Sequence, residues 1–415
     1  MRTITVTVEV PWPKGKLSLG RLERSIHRAA MAAGRKALID ALRVWEQELL
    51  PTAGARQRRI RRYLLTRLGP VRLWRWKTMT DGRYGFPLDR AMGLQAWQTC
   101  SGFVWERACQ LAASFPFRTA ARLLSDLVGT PVDHRRLWGW LQKAGALRQG
   151  QVDRVRGEMF DEGLAPPEVA PVDMVVAEVD GVVLRRQRGG VMEAKVCAAY
   201  TGKRQTSKTA RHRRRLCTGK TLLAGFYDEQ AGPTFYANLC RSVGIHRARH
   251  TLVPGDGAEW IPVMVKGWFP DAVFQLDHYH HKQRLRIAAA GDADLAGRWI
   301  SWALQGRWRS VARSMTNLVA RRRLDPKLAK DTLSFLELNH SAIWAFRRLE
   351  AQGAPRELCT RGSGVVEHNI DLVACRRMKR QGMRWSRRGA HHMLALRCLL
   401  LDPPAWRAWW KEVVG

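Results

Sequence analysis

The pattern of hydrophobic and polar positions at the start of the chain predicts a small α+β region over residues 1–110. The first ten residues alternate as a strand would. Apolar residues then recur every three or four positions over 21–50, as on one face of a helix, and Pro51 ends this pattern. Alternation over 71–76 indicates a further strand.

The next stretch, residues 111–150, has the pattern of a helix-turn-helix. A first helix is predicted over 119–127, and Gly129 suits the left-handed turn that ends it. Thr130 and Pro131 suit the cap and the first turn of a second helix. The residues expected to face inward are Ala121, Leu124, Val132, Leu137, Trp138 and Leu141. The residues left for solvent or DNA are Asp133, Arg135, Arg136 and Lys143. Because such helix pairs also occur in plain helical bundles, DNA contact is one of two interpretations.

The remainder of the chain has the element order of an α/β domain. A proline-rich stretch in 151–173 predicts a linker. The strand-like runs beyond it are 174–187, 192–202, 220–228, 250–257 and 272–280. Helical stretches at 234–243 and 260–267 precede the fourth and fifth of these runs. This order is typical of a ribonuclease-H-like domain, which is therefore predicted over 174–415 with a helical insertion at about 282–358. The whole chain is expected to be a multidomain α/β protein.

The net charge of the chain indicates what kind of partner it binds. The 415 residues contain 71 Lys and Arg against 36 Asp and Glu, a formal net charge of +35. So basic a chain is expected to bind a polyanion, and nucleic acid is favoured over a membrane surface. The chain has no run of 18 apolar residues and no long apolar segment near its first residue, so we expect neither a transmembrane helix nor a signal peptide. Eight cysteines without a CxxC pair are typical of reduced thiols in a cytoplasmic protein.

Basic residues concentrate in three runs, over 56–77, 203–220 and 376–388, which hold nine, eight and seven Lys or Arg. The first run is expected either to contact DNA phosphates or to be an ordinary solvated face. The other two are expected to line the path of DNA strands. Their candidate DNA-binding residues are Arg213, Arg214, Arg215, Arg376, Arg377, Lys379 and Arg380. Trp385, in the third run, either packs in a core or stacks on an unpaired base.

Three acids stand out in a chain that has few. Asp180 lies in an apolar strand, Asp256 lies between two glycines at the end of another, and Glu367 lies near the start of a helix. Converging carboxylates could hold two Mg²⁺ or Mn²⁺ ions, which stabilise the attacking and leaving oxygens of phosphodiester transfer. Taken singly, each acid could instead be a turn residue or a favourable residue at a helix N-terminus.

Four stretches of the third region carry a family resemblance. They are VAEVDGV, PGDGAEWIPVMVKGWFPDAVFQLDHYHHKQRL, RGSGVVEHNIDLVACRRMKRQGMRWS and GAHHMLALR. They resemble the ISLre-type transposases of bacterial insertion sequences, relatives of the Mutator-like group within the DDE superfamily. The resemblance extends back through YGFPLDRAMGL and the helix-turn-helix, so it covers most of the chain. It implies that Asp180, Asp256 and Glu367 are the catalytic, metal-binding triad. It further implies a nucleoid-associated enzyme that binds terminal inverted repeats, cleaves a strand at each end and joins the 3′-OH to target DNA, as a homodimer or larger oligomer.

Residues 277–280, Asp-His-Tyr-His, fit the acid-x-x-His signature of related transposases. By this resemblance His280 is a further catalytic residue and Asp277 supports the site. A histidine there could orient a phosphate or a nucleophile. The pattern places both on the fifth strand, where His278 and His281 would point to opposite faces, so a zinc site is disfavoured. A structural pair without a catalytic role is the alternative.

Two other functions remain open at this point. The protein could be a DNA-binding regulator that has kept the fold without catalysis. It could also be a structure-specific ribonuclease-H-like nuclease, which would cleave without a strand-transfer product. An intact acidic triad favours the active transposase over the regulator.

Overall fold

The structure is a computed structural model, which describes residues 3, 5–12, 15, 17–206 and 215–414. The chain is a mixed α/β protein of two units. The first unit contains Met1–Ala144 and Pro403–Gly415, and the second contains Gly145–Asp402. Among the described helices, none is long and apolar enough to cross a membrane.

The first unit contains one long helix, a three-stranded antiparallel sheet and several shorter helices. Its elements are α1 (Leu19–Leu49), β1 (Ala55–Thr66), β2 (Gly69–Thr80), β3 (Arg83–Gly85), α2 (Pro87–Ala91), α3 (Gly102–Ser114), α4 (Phe117–Val128), the start of α5 (His134–Phe160) and α15 (Pro403–Val414). The strands are ordered β1-β2-β3.

The long helix and the strand predicted in this region are confirmed. α1 covers nearly all of the predicted helix, and β2 buries Val71 and Leu73 while Trp74 is half exposed. The strand predicted over the first ten residues is wrong for the described part of that segment, which has no strand. An alternating segment forms a strand only where a neighbouring strand supplies hydrogen bonds, and none pairs with it there.

Buried charge reinforces the inner face of this sheet. Arg62 of β1 and Arg75 of β2 both point inward, and each donates to the carboxylate of Asp89 over 2.8 Å. The same face packs on α1 through apolar residues that include Leu42 and Leu64. The alternation of the strands thus separates an inner face from an outer one.

The second unit contains a five-stranded mixed sheet and most of the helices. Its elements are the rest of α5, β4 (Val172–Arg185), β5 (Val191–Tyr200), β6 (Gly202–Gln205), β7 (Arg215–Thr218), β8 (Thr221–Gly225), α6 (Ala231–Val243), β9 (Ala248–Gly255), α7 (Trp260–Trp268), β10 (Val273–Leu276), α8 (His278–Ala288), α9 (Ala293–Leu304), α10 (Trp308–Ala320), α11 (Pro326–Asn339), α12 (Phe346–Ala351), α13 (Gly364–Ile370), a π-helix (Asp371–Lys379) and α14 (Arg387–Leu400). All five predicted strands are present, as β4, β5, β8, β9 and β10, and the predicted insertion is helical.

The large sheet has the strand order β8-β5-β4-β9-β10. β8, β5 and β4 are antiparallel neighbours, whereas β4, β9 and β10 run parallel. α6 and α7 cross between the parallel strands, as such connections require. β4 is the central strand, and residues 174–179 are buried on both of its faces.

Each face of this sheet has its own hydrophobic core. Val175, Ala177 and Val179 of β4 pack with residues of α6 and α7. Met174 and Val176 belong to the opposite core, with residues of α12. Because side chains alternate along a strand, the later even-numbered residues of β4 face this second side as well. The helices α8 to α11 enclose a separate core of their own.

The division into units differs from the predicted division at 110, 150 and 173. α5 continues through residue 150 as far as Phe160, into the predicted linker. α15, predicted to belong to the catalytic region, is part of the first unit. The reason is a tryptophan cluster in which the rings of Trp410 and Trp105 lie 5.2 Å apart. A contact between residues so distant in sequence leaves no local pattern to read.

Candidate active site

Strand register brings three acids to one level of the sheet. Val179 of β4 pairs with Gly255 of β9, and Gly255 pairs with Leu276 of β10. The next residues are Asp180, Asp256 and Asp277, and the backbone N–H of Asp277 donates to Gly255 O over 2.8 Å. Neighbouring strands lie about 4.7–4.9 Å apart, so these three acids are adjacent although they are far apart in sequence.

The pKa of Asp180 is raised, as expected for a partly buried carboxyl close to other acids. Burial raises the pKa of its carboxyl to about 6, with the negative charges of Asp256 and Glu367 acting in the same direction. The hydrogen bond from Gly181 N–H (2.6 Å) and the nearby His280 lower this pKa only in part. The charges of the other two predicted triad members therefore both act on Asp180.

Glu178 fixes the helix that carries Glu367. It lies two residues before Asp180 on the same face of β4 and is buried. Its Oε2 accepts from Val366 N–H, and its Oε1 accepts from the Tyr200 hydroxyl, each over 2.8 Å. Burial raises the pKa of Glu178 to about 7 in spite of these hydrogen bonds. This role was not predicted, although Glu178 shows the same signal as Asp180, an acid in an apolar strand.

Asp277 ties the same helix to α8. Its Oδ2 accepts from both the backbone N–H and the hydroxyl of Ser363, each over 2.6 Å. Its Oδ1 accepts from the N–H groups of Tyr279 (2.5 Å) and His280 (3.3 Å), so Asp277 caps α8. Placing Asp277 and His280 on the fifth strand was therefore wrong, because β10 ends at Leu276 and the capping carboxylate starts a helix.

His280 and Glu367 form a direct pair, with 2.8 Å between Nε2 and Oε1. Burial lowers the pKa of His280, but the hydrogen bond to Glu367 and the carboxylates of Asp277 and Asp256 raise it above the ordinary value. Ligand atoms of Asp277, His280 and Glu367 all lie within 4.8 Å of one another. This is the one set of potential metal ligands at that spacing in the part of the chain that the structure describes. It contains Glu367 but neither Asp180 nor Asp256, so the predicted triad is not itself such a set among the described residues.

The other two histidines of this segment, His278 and His281, are buried. A ring nitrogen of His278 lies 2.6 Å from Ile343 O, and His281 is fully buried. Burial lowers the pKa of His281 to about 4. On a helix, His278 and His281 face away from His280, and neither belongs to the ligand set found among the described residues.

A cleft of about 1070 Å³ opens beside the candidate site. Asp256 and His280 lie at one end, and its walls include Gln283 and Arg284 of α8 and Phe335 of α11. The helical insertion thus forms one side of an open space that leads to the acids.

The predicted basic residues after Glu367 divide into two groups. Arg376, Lys379 and Arg380 are exposed, and Arg376 pairs with Asp371 over 2.7 Å. Arg377, predicted to bind DNA, is buried, with its guanidinium 5.4 Å from the Trp385 ring. Burial lowers the pKa of Arg377 to about 10. The prediction for Arg377 is wrong because this residue lies on the inner side of its helix, four positions after buried Val373.

Trp385 is a core residue in this structure. It is buried, and its indole N–H donates to Met378 O over 3.0 Å. Base stacking by Trp385 is therefore not available in this conformation. In the other basic run, Arg213 and Arg214 lie outside the described residues, and Arg215 begins β7, which pairs with β6 as a hairpin.

The predicted helix-turn-helix corresponds to α4 and the start of α5. Gly129 takes the expected left-handed conformation (φ 66°) at the end of α4. α5 begins at His134, later than predicted, after Asp133 accepts from the N–H of Arg135 over 2.7 Å. Of the residues predicted to face inward, Ala121, Leu124, Val132, Leu137 and Leu141 are buried.

One inward-facing residue of this motif was assigned wrongly. Trp138 is 44% exposed and Trp140 is buried instead, with its backbone O accepting from the Trp105 indole. Arg135, Arg136 and Lys143 are exposed as predicted.

Comparison with known proteins places the chain in a family. Among curated proteins, none matches this chain. A family model matches residues 13–412, which is nearly the whole sequence. The chain therefore belongs to the uncharacterised protein family UPF0236.

Proposed function

We propose that this protein is a DDE-type DNA transposase of a bacterial insertion sequence. The observation that carries the proposal is that Asp180 and Asp256 follow paired residues of two adjacent parallel strands, and that the charge of Glu367, on a helix held beside them, acts on the Asp180 carboxyl. The raised pKa of Asp180 supports it, because burial and the charges of Asp256 and Glu367 all disfavour the ionised carboxyl, and a bound cation would offset these effects.

The sheet supports a ribonuclease-H-like catalytic domain. Three antiparallel strands, followed by two strands parallel to the first of them and separated by helices, are the arrangement that this fold requires. Asp180 on the first strand and Asp256 after the fourth then occupy neighbouring positions at the centre of the sheet.

The donor set fits Mg²⁺ or Mn²⁺. Asp180, Asp256 and Glu367 offer hard carboxylate oxygens, and Asp256 lines the open cleft. Asp277 fits less well as a ligand, because four hydrogen bonds already engage its two oxygens. When bound, two such ions would stabilise the attacking and leaving oxygens of phosphodiester cleavage and transfer.

The chain's own residues would position the reacting groups. Glu178 and Asp277 fix the first turn of α13 from two sides, which holds Glu367 in reach of Asp180. His280 fixes the orientation of the Glu367 carboxylate through its Nε2. Preorganisation of this kind removes motions that would otherwise slow the reaction.

DNA is the proposed substrate because the net charge of +35 calls for a polyanion. Exposed Arg135, Arg136 and Lys143 on α5 are proposed to recognise the element's terminal repeats. Exposed Arg376, Lys379 and Arg380 are proposed to hold phosphates near the acids. A homodimer or larger oligomer would bring two ends together.

The proposal is tested with purified full-length protein, Mg²⁺, a supercoiled plasmid and short duplexes carrying the terminal repeats that flank its gene. We expect a nick that exposes a 3′-OH at the repeat end, and a product in which that end is joined to the plasmid. A duplex with scrambled repeats is the control and should give little of either product. Nicking without joining would indicate a nuclease, and binding without nicking would indicate a regulator; either result would overturn the proposal.

A further inference from the structure

The outer face of the sheet in the first unit is a ladder of arginine and aromatic side chains. Directly opposite pairs on β1 and β2 each combine one arginine with one ring. These six residues, here called the arginine–aromatic face, are Arg59, Arg61, Tyr63, Arg72, Trp74 and Trp76. They alternate with the inner residues that pack on α1, so all six lie on one side of the sheet.

Cation–π contacts organise this face. The Arg61 guanidinium lies 5.5 Å from the Tyr63 ring and 5.4 Å from the Trp74 ring. Arg72 lies 5.4 Å from Tyr63, and Arg59 lies 5.6 Å from Trp76. These contacts hold long side chains in place before a ligand arrives, which lowers the entropy lost on binding.

The face exposes two of its three rings, while Trp76 is half-buried. Tyr63 is 53% exposed and Trp74 is 50% exposed. On the inner face, Asp89 neutralises Arg62 and Arg75. On the arginine–aromatic face, Arg59 lies 3.8 Å from the carboxylate of Glu46, whereas none of the ion pairs among the described residues engages Arg61 or Arg72. Exposed aromatic rings clustered together, with free cations between them, are typical of an interaction site.

We infer that the arginine–aromatic face binds single-stranded nucleic acid. Unpaired bases offer flat π-faces on which Tyr63 and Trp74 can stack, while Arg61 and Arg72 contact the phosphates between them. A duplex hides the faces of its bases, so it would leave the rings in contact with edges and sugars only. A surface built for duplex phosphates alone would need the arginines but not the rings.

This inference does not depend on the carboxylate site. It requires only β1 and β2 of the first unit, whereas the proposed cleavage requires Asp180, Asp256 and Glu367 of the second. If the proposed cleavage is refuted, the inferred single-strand binding is unaffected, and the converse also holds. Binding assays without divalent metal test the single-strand binding alone.

The test compares binding of fluorescent oligo(dT), oligo(U) and a duplex of equal length to the full-length protein in EDTA. Trp74→Ala should weaken single-strand binding by about 5-fold to 150-fold, which corresponds to about 1–3 kcal/mol for one stacked base. Duplex binding should change by less than about twofold, because this variant keeps every charge. Trp74→Phe should restore most of the single-strand affinity. Trp45→Ala, which removes a 39% exposed tryptophan of α1, is the matched control and should change neither.

Salt dependence separates stacking from charge. In a plot of log affinity for oligo(dT) against log salt concentration, Trp74→Ala should shift the line without changing its slope. Arg61→Ala should make the slope shallower by about 0.7, the value for one lost phosphate contact on a single strand. Tight binding of either oligo(dT) or oligo(U) supports the inference, and the preference between them identifies the strand. Equal losses on single strands and duplex in Trp74→Ala, or no loss on either, would overturn it.

Discussion

Replacing Glu178 with Gln should make the protein more stable at pH 8 and change it little at pH 4.5. Glutamine keeps the geometry, since its carbonyl can accept from Val366 N–H while its amide donates to the Tyr200 oxygen. What the substitution removes is the charge. The effect on stability should therefore follow the ionisation of this one carboxyl.

The size of the effect follows from the pKa. Burial raises the pKa of Glu178 from 4.5 to about 7, and each pKa unit corresponds to about 1.36 kcal/mol. Because the folded pKa lies above the unfolded one, the protonated carboxyl stabilises the fold below pH 4.5, and this stability is lost as the pH rises through about 7. The wild type should therefore lose up to about 3 kcal/mol relative to Glu178→Gln between pH 4.5 and pH 8.

Urea unfolding of both proteins at pH 4.5, 6, 7 and 8 measures this difference. Glu162→Gln, at an exposed position, is the control and should follow the wild type at every pH. If the free energy of unfolding changed with pH in the same way for the wild type and Glu178→Gln, ionisation of the buried Glu178 carboxyl would not be the cause of the pH dependence. Glu178→Ala should be destabilised at all four pH values, because it leaves Val366 N–H and the Tyr200 hydroxyl without their acceptor, at about 1–3 kcal/mol each.

Further predictions concern DNA. Affinity for duplex DNA should fall about a thousandfold or more between 50 and 200 mM salt, measured by anisotropy, and a flat profile would contradict phosphate-dominated binding. Arg135→Ala combined with Arg136→Ala should weaken binding to the element's ends more than to random duplex, whereas equal losses would reduce α5 to a packing element. His280→Ala should slow strand cleavage and leave DNA binding unchanged; wild-type cleavage rates would show that the histidine is structural. Arg377→Ala should lower the melting temperature without specifically weakening DNA binding. Lys379→Ala, at an exposed position, should weaken DNA binding without lowering the melting temperature.

Much of the second unit could be predicted from short-range pattern. Apolar runs identified all five strands of the large sheet, and the helical periods between them gave α6 and α7. An acid inside or just after such a run, as at Asp180 and Asp256, stands out because burying a charge is costly without a purpose. These features depend on residues that are close together in the sequence, so they can be predicted from it.

The remaining features depend on contacts that the sequence does not display. Glu178 has the same local setting as Asp180, but its role comes from Val366, which lies 188 residues away. Asp277 looks like the continuation of a strand until its side chain is seen to cap α8. Arg377 belongs to a basic run that looks exposed, and its burial comes from packing beside Trp385.

The central claim is that Asp180, Asp256 and Glu367 perform metal-dependent cleavage of DNA. Asp180→Asn and Asp256→Asn preserve shape while removing charge, so both variants should keep wild-type DNA binding. The decisive measurement is the Mg²⁺-dependent nicking rate of a repeat-end duplex by the wild type and these two variants, beside a binding isotherm for each. We predict nicking by the wild type, its loss in EDTA, and no detectable nicking by either variant. Undiminished nicking by the variants, or a wild type that binds the ends but does not cut with Mg²⁺ or Mn²⁺, would contradict the claim.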